Sequence, residues 1–336
     1  MTPTNHQIRL AARPEGEPKA EDFELTTEPV PDPGPGQFTV QISHISLDPA
    51  MRGWMSDRPS YIEPVKLGEV MRAGAVGRVV ASAHDGFAVG EHVSGMFGVQ
   101  EYALSDGRGV AKVDPALAPL PTYLGALGMT GLTAYFGLLD VGRLAEGDTV
   151  VVSGAAGAVG SVAGQIARIK GCRTIGIAGG PQKCRWLTEE LGFDAAIDYK
   201  AQNVAAALRE LAPDAVDVYF DNVGGEILDA VLTRLARGAR VVICGAISQY
   251  NSEQARGPAN YLSLLVNRAS MTGMIVFDFA ARYGEATAEL AGWLRSGQLI
   301  AREQVVDGGV ADFRDVLMKL FAGENTGKLV LELSHA

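Results

Sequence analysis

The sequence predicts an α/β protein in which a small N-terminal β domain is joined to a domain built on a doubly wound parallel sheet. Three observations carry this expectation. Residues 1 to about 122 are rich in Pro, Gly and short β-branched runs. From about residue 123 the pattern alternates between short apolar runs and helical periodicity, as a parallel sheet covered on both faces requires. One of these alternations carries a glycine loop, VVSGAAGAVGSVAGQIARIKG, at residues 151–171. The expected domains are 1–122, completed by 298–336, and 123–297.

The early runs FTVQISHIS, GAVGRVVASA and EHVSGMFGVQEYAL read as strands separated by turns. Further strands are expected at 148–153, 173–178, 194–198, 216–221, 239–244 and 270–276. Helical patterns fall at 159–170, 181–191, 202–212, 225–236 and about 280–296. Short strands return at 301–306 and 327–333, and the last piece is expected to rejoin the β domain.

Composition narrows the function classes. The chain has 336 residues and a formal net charge of −10, which disfavours a nucleic-acid-binding surface. The opening MTPTNHQIRLAARPEGEP lacks the apolar core of a secretory signal. No apolar run approaches the ~18 residues of a membrane span. Cys172, Cys184 and Cys244 are too few and too scattered for a disulfide framework. These features lead to the expectation of a cytoplasmic protein with reduced thiols.

In the glycine loop a strand ends at Ser153 and a helix begins near Val159. Gly154, Gly157 and Gly160 allow a tight turn and close approach of a pyrophosphate, which the helix N-terminus attracts. A tight turn without a ligand is the other reading. Dinucleotide folds that bind NAD place an acid about twenty residues further on, against the adenosine ribose. Here the next strand ends in GIAGGPQKCR, with Gly179 and Gly180 in the acid's place and Lys183 and Arg185 beyond. Small residues leave room for a 2′-phosphate and a cation neutralises it, so the expected cofactor is NADP(H). Lys183 also reads as a solvated helix residue.

The segments MTGLTAYFGL, AAGAVGSVAGQIA, YFDNVGGE and CGAISQYN make the chain resemble the medium-chain dehydrogenase/reductase superfamily. Within it, the sequence is similar to the zinc-free leukotriene B4 dehydrogenase/prostaglandin reductase family, which includes alkenal and curcumin reductases. The likeness runs from LDPAMRGWM to GENTGKLVLEL. It implies a GroES-like β domain, a Rossmann domain, an active site in the cleft between them, and a homodimer joined through the Rossmann sheets. It departs at Thr130, where the family has proline, and at GGPQK, where Pro181 enters the first helical turn.

Zinc-dependent members of the superfamily need cysteine and histidine ligands. The corresponding segments here read LDPAMRG and LGEVMRAG, and His44, His84 and His92 lack ligand spacing. No bound metal is expected. The chemistry left to a nicotinamide with hydrogen-bond help is hydride addition to an electron-poor C=C bond. A donor must then face the carbonyl oxygen of the enone or alkenal. Tyr250 in CGAISQYN follows the fifth strand of the parallel sheet, where such a cleft opens. A phenol stays protonated at neutral pH. The resemblance places the catalytic tyrosine at the same position; packing on the nicotinamide ribose is the alternative role.

The resemblance carries further positions over as cofactor contacts: Gly157, Ala158, Val159 and Gly160 in the loop; Lys183 and Tyr199 at the adenosine phosphate; Asn222 in YFDNVGGE. It adds Cys244, Gly245, Ala246, Ile247 and Ser248 in CGAIS, then Met274, Ile275 and Val276 in GMIVFDF, and Asn325 in GENTGK. Asn222 reads equally as a turn former, and the others as core or turn. Trp54, Tyr61 and Tyr123 suit either a substrate pocket or core packing. An NADPH quinone reductase and a non-catalytic NADPH-binding protein are the rival functions.

Overall fold

The computed structural model describes residues 4–252 and 256–334. The chain divides into two units, Met1–Leu124 with Glu303–Ala336, and Gly125–Arg302.

In the first unit β1 (Thr4–Leu10) and β2 (Phe23–Pro29) form an antiparallel pair. They are followed by β3 (Phe38–Ser46), the short helix α1 (Met51–Trp54), β4 (Ala75–Ser82), β5 (His92–Gly95), β6 (Tyr102–Ser105) and β7 (Ala111–Val113). Along β3 the residues Phe38, Val40 and Ile42 are fully buried, at the period of two that sends alternate side chains to one face. Val79 and Val93 meet them in the same core. The β1–β2 pair was not legible in the sequence, because TNHQIRL and FELTTEP are mostly polar. Long-range bonds hold it instead: Asn5 Nδ2 donates to Tyr102 O at 2.8 Å.

The second unit carries six parallel strands: β8 (Thr149–Ser153), β9 (Arg173–Ala178), β10 (Ala195–Asp198), β11 (Val216–Asp221), β12 (Leu235–Ile243) and β13 (Ser270–Gly273). Their order is β10-β9-β8-β11-β12-β13. Helices α2 (Met129–Phe136), α3 (Ala158–Ile169), α4 (Pro181–Arg185), α5 (Val204–Leu211), α6 (Gly225–Leu232), α7 (Leu262–Asn267) and α8 (Tyr283–Arg295) complete the unit. Val150, Val151 and Val152 of β8 are all fully buried, as both faces of a central parallel strand must be. In α3 the apolar residues Val162, Ala163, Ile166 and Ala167 recur at helical spacing and are buried.

Several boundaries differ from the sequence expectation. The strand expected at 239–244 starts at Leu235 and the helix before it stops at Leu232. Gly238, at φ 79, lies where the register against β11 shifts between Val216 and Val218, so a bulge lets the strand begin early. The strand expected to reach residue 276 ends at Gly273, and Val276–Arg282 forms a 3₁₀ helix.

The chain then supplies β14 (Glu303–Gly308), α9 (Phe313–Phe321) and β15 (Lys328–Leu333) to the first unit. β15 runs antiparallel to β3, with Val330 opposite Ser46.

Candidate active site

Strand order reverses between β8 and β11, and a crevice opens beyond the C-terminal ends of strands at such a point. The residues ending those strands are Ser153 and Asp221, both fully buried. Asp221 Oδ1 accepts from Ser153 Oγ (2.9 Å), Tyr219 OH (2.7 Å), Val223 N–H (3.0 Å) and Gly224 N–H (2.9 Å). Ser153 Oγ in turn accepts from Asn222 N–H at 2.9 Å, and Asn222 Nδ2 donates to Ser153 O at 2.7 Å. The predicted residue Asn222 is thereby clamped to the strand that leads into the glycine loop. Ser153 and Asp221 were missed in the sequence, where a serine and an aspartate at strand ends carry no distinguishing signal.

The loop itself depends on two glycines. Gly154 takes φ 58, in the left-handed region. A Cβ on Gly160 would lie 2.4 Å from Gly154 O, so only glycine lets α3 pack this closely on the loop. Gly157 is the N-cap of α3 and no side chain caps the helix. The N–H groups of Ala158, Val159 and Gly160 are the first of a 12-residue helix and carry the positive end of its dipole.

At the end of β9 the turn Gly179–Gly180 leads into α4, which presents Lys183. A Cβ on Gly179 would lie 3.0 Å from Lys200 Cε and 3.1 Å from the Tyr199 hydroxyl, so both side chains fold over this turn. The Asp198 carboxylate faces the backbone: its Oδ1 accepts from Gly180 N–H (2.8 Å) and Lys200 N–H (3.0 Å). Burial, then the neighbouring Lys200 ammonium, hold Lys183 below the usual lysine range. The predicted Lys183 and Tyr199 therefore share one corner of the unit with Lys200, a residue the sequence reading passed over.

The CGAIS segment hangs from the same strand ends. Cys244 N–H and Gly245 N–H donate to Asp221 O at 2.9 and 3.0 Å. Ile247 N–H donates to Asn222 O, and Ser248 Oγ to Val223 O at 2.7 Å. Burial and the Asp221 carboxylate push the Cys244 thiol up to about 12, which makes it a structural thiol rather than a nucleophile. Tyr250 closes the loop: its hydroxyl oxygen accepts from Ala246 N–H at 3.2 Å. A Cβ on Gly245 would lie 3.0 Å from that oxygen, so the glycine admits the phenol.

The remaining predicted positions divide between the units. Met274 N–H donates to Ile243 O, so Met274, Ile275 and Val276 continue outward from the β12 edge; Met274 and Val276 are buried. Asn325 belongs to the first unit, where it is buried and its Nδ2 donates to Gly327 O at 2.9 Å. Trp54 is buried and donates to the Tyr61 hydroxyl at 3.2 Å, and Tyr123 donates to Asp114 O at 2.8 Å. In the LDPAMRG segment, read above for zinc ligands, Asp48 accepts from Lys328 Nζ at 2.6 Å and from Ser46 Oγ. Among the described residues no group of three or more His, Cys, Asp or Glu is placed to hold a metal.

Residues 6–113 match the N-terminal domain of oxidoreductase family, and residues 158–292 match the family described as zinc-binding dehydrogenase. The chain is 47% identical over 338 residues to an oxidoreductase of Bacillus subtilis named as NADP-dependent, covering 99% of each chain. It is 40% identical over 336 residues to the NADPH-dependent curcumin reductase of Escherichia coli, covering 98% and 97%. The crystal structure of CurA from Vibrio vulnificus in complex with NADPH superposes with a TM-score of 0.93 at 45% identity, covering 98% of this chain and 100% of that one. The residues here fit such a cofactor on two observations: the uncapped α3 terminus behind Gly157, and the turn over which Lys200 and Tyr199 fold and at which Asp198 Oδ1 is taken up by backbone N–H groups. Fold and relatives agree, and the chain belongs to the zinc-independent medium-chain dehydrogenase/reductase family of NADP-dependent oxidoreductases that includes curcumin, prostaglandin and 2-alkenal reductases.

Proposed function

We propose that the protein is an NADPH-dependent reductase of the C=C bond of α,β-unsaturated ketones and aldehydes. When bound, NADPH supplies a hydride from nicotinamide C4 to the β-carbon. The Gly157–Gly160 backbone binds the pyrophosphate, Lys183 and Tyr199 bind the 2′-phosphate, and Asn222, Cys244–Ser248 and Met274–Val276 position the nicotinamide half. Tyr250 donates a proton in a hydrogen bond to the enolate oxygen as charge develops there. The observation that carries this role is the bond from Ala246 N–H to the Tyr250 hydroxyl oxygen. It holds the phenol ring against the loop that follows β12, and a hydrogen bond accepted by the phenol oxygen polarises its O–H. The first unit serves as the substrate domain and the second as the NADP-binding domain.

The test is NADPH oxidation followed at saturating cofactor against alkenals, enones and quinones. Turnover on enones and alkenals, giving saturated carbonyls, supports the reading. Turnover confined to quinones makes the protein a quinone reductase, and binding without turnover on any acceptor makes it a non-catalytic NADPH-binding protein.

A homodimer is part of the same proposal. β13 is an edge strand of the six-stranded sheet, and the neighbouring α7 exposes Leu265 and Val266 at 75% and 65%. Such an edge beside an apolar patch invites pairing with a second copy. Sedimentation should give twice the 35.4 kDa chain mass, and Leu265→Arg should halve it; a wild-type monomer at micromolar concentration contradicts the assembly.

A further inference from the structure

Lys200 stands where the turn after β9 closes. Its backbone is fixed by Asp198, the same carboxylate that holds Gly180, so the residue has a set position beside the turn. Its side chain folds over Gly179, close enough that any Cβ there would meet Lys200 Cε at 3.0 Å. Tyr199 closes the same spot with its hydroxyl. Lys183 arrives from α4 and feels the charge of Lys200. Among the described residues no carboxylate forms an ion pair with Lys200. Two ammonium groups brought together by separate chain segments repel each other, and an anion between them removes that penalty. A phosphate monoester, with charge near −2 at neutral pH, matches a pair of rotatable ammonium donors with a phenol beside them.

We propose that Lys200 joins Lys183 in a two-cation clamp on the 2′-phosphate of NADPH, and that Lys200 is a determinant of the preference for NADPH over NADH. This rests on the NADPH reading of the turn given above. The second ammonium explains how a site with one partly desolvated lysine balances a doubly charged group.

The clamp is tested by dissociation constants for NADPH and NADH, read from the fluorescence of the reduced nicotinamide, for the wild type, Lys183→Ala, Lys200→Gln and Lys200→Arg. Lys200 is exposed, so these changes leave the fold intact, which circular dichroism checks. Lys200→Gln should weaken NADPH about 5- to 10-fold and leave NADH within about twofold, while Lys200→Arg restores most of the affinity. The affinity for NADPH should also fall less steeply with NaCl in Lys200→Gln than in the wild type. An unchanged NADPH affinity in Lys200→Gln, with Lys183→Ala weakened, removes Lys200 from the clamp and leaves the cofactor reading standing. An equal loss for both nucleotides also overturns the proposal. Equal affinity of the wild type for NADPH and NADH defeats the underlying cofactor reading itself.

Discussion

The Ser153 hydroxyl donates to Asp221 Oδ1 at 2.9 Å across 68 residues of sequence. That bond joins the ends of the two strands at which the sheet order reverses, and the glycine loop and the CGAIS loop are both built outward from it. Asp221→Ala leaves Ser153, Tyr219 and two backbone N–H groups without their acceptor inside the core. Each orphaned buried donor costs about 1–3 kcal/mol, so a loss of at least ~3 kcal/mol is expected in urea unfolding. Ser153→Ala should cost less, about 1–2 kcal/mol, and should also weaken NADPH binding because Asn222 loses the acceptor of its backbone N–H and keeps only its side-chain bond to Ser153 O. A stability change under ~0.5 kcal/mol in Asp221→Ala, the size of an ordinary surface substitution, shows that the network does not organise the crevice.

Cofactor preference is the second expectation. Gly179 and Gly180 stand at the end of β9, Lys183 follows in α4, and Asp198 Oδ1 is taken up by backbone N–H groups of the turn. The wild type should therefore prefer NADPH to NADH in kcat/KM. Lys183→Ala should lose most of that preference, about 1.5–3 kcal/mol for one charge-assisted phosphate contact. Equal Michaelis constants for the two nucleotides in the wild type contradict it.

The glycine loop, the alternation of strands and helices, and the lysine after β9 were all legible because each is a local pattern with a backbone reason. Valines in a row make a doubly buried strand, and Gly154 and Gly160 sit where a side chain is excluded. What stayed hidden is non-local. The β1–β2 pair has weak alternation and is held by contacts such as Asn5 to Tyr102. The early start of β12 comes from a bulge defined only against β11. Ser153, Asp221 and Lys200 acquire meaning from neighbours that the fold brings to them, and sequence spacing does not report those neighbours.

Metal independence is the third expectation. Asp48 is committed to the buried Lys328 ammonium and to Ser46, so a divalent cation would have to displace a charge already in place. The protein should purify without stoichiometric zinc, and chelators should leave turnover unchanged. One tightly bound zinc per chain, with activity lost on its removal, would overturn this.

The central claim is the reaction class and the place of Tyr250 in it. Tyr250→Phe keeps the ring and deletes the hydroxyl that Ala246 N–H fixes. Removing one preorganised donor costs about 2.7–4 kcal/mol, or roughly 100- to 1,000-fold in turnover, with NADPH affinity nearly unchanged. The most direct measurement follows the hydride: an active enone or alkenal is reduced with NADPH deuterated at the transferable C4 position, and the product is read by NMR. The account predicts a saturated carbonyl with deuterium at the β-carbon and solvent hydrogen at the α-carbon, formed far more slowly by Tyr250→Phe. Deuterium at the carbonyl carbon, giving an allylic alcohol, contradicts the reaction class, and full turnover in Tyr250→Phe contradicts the role of the phenol.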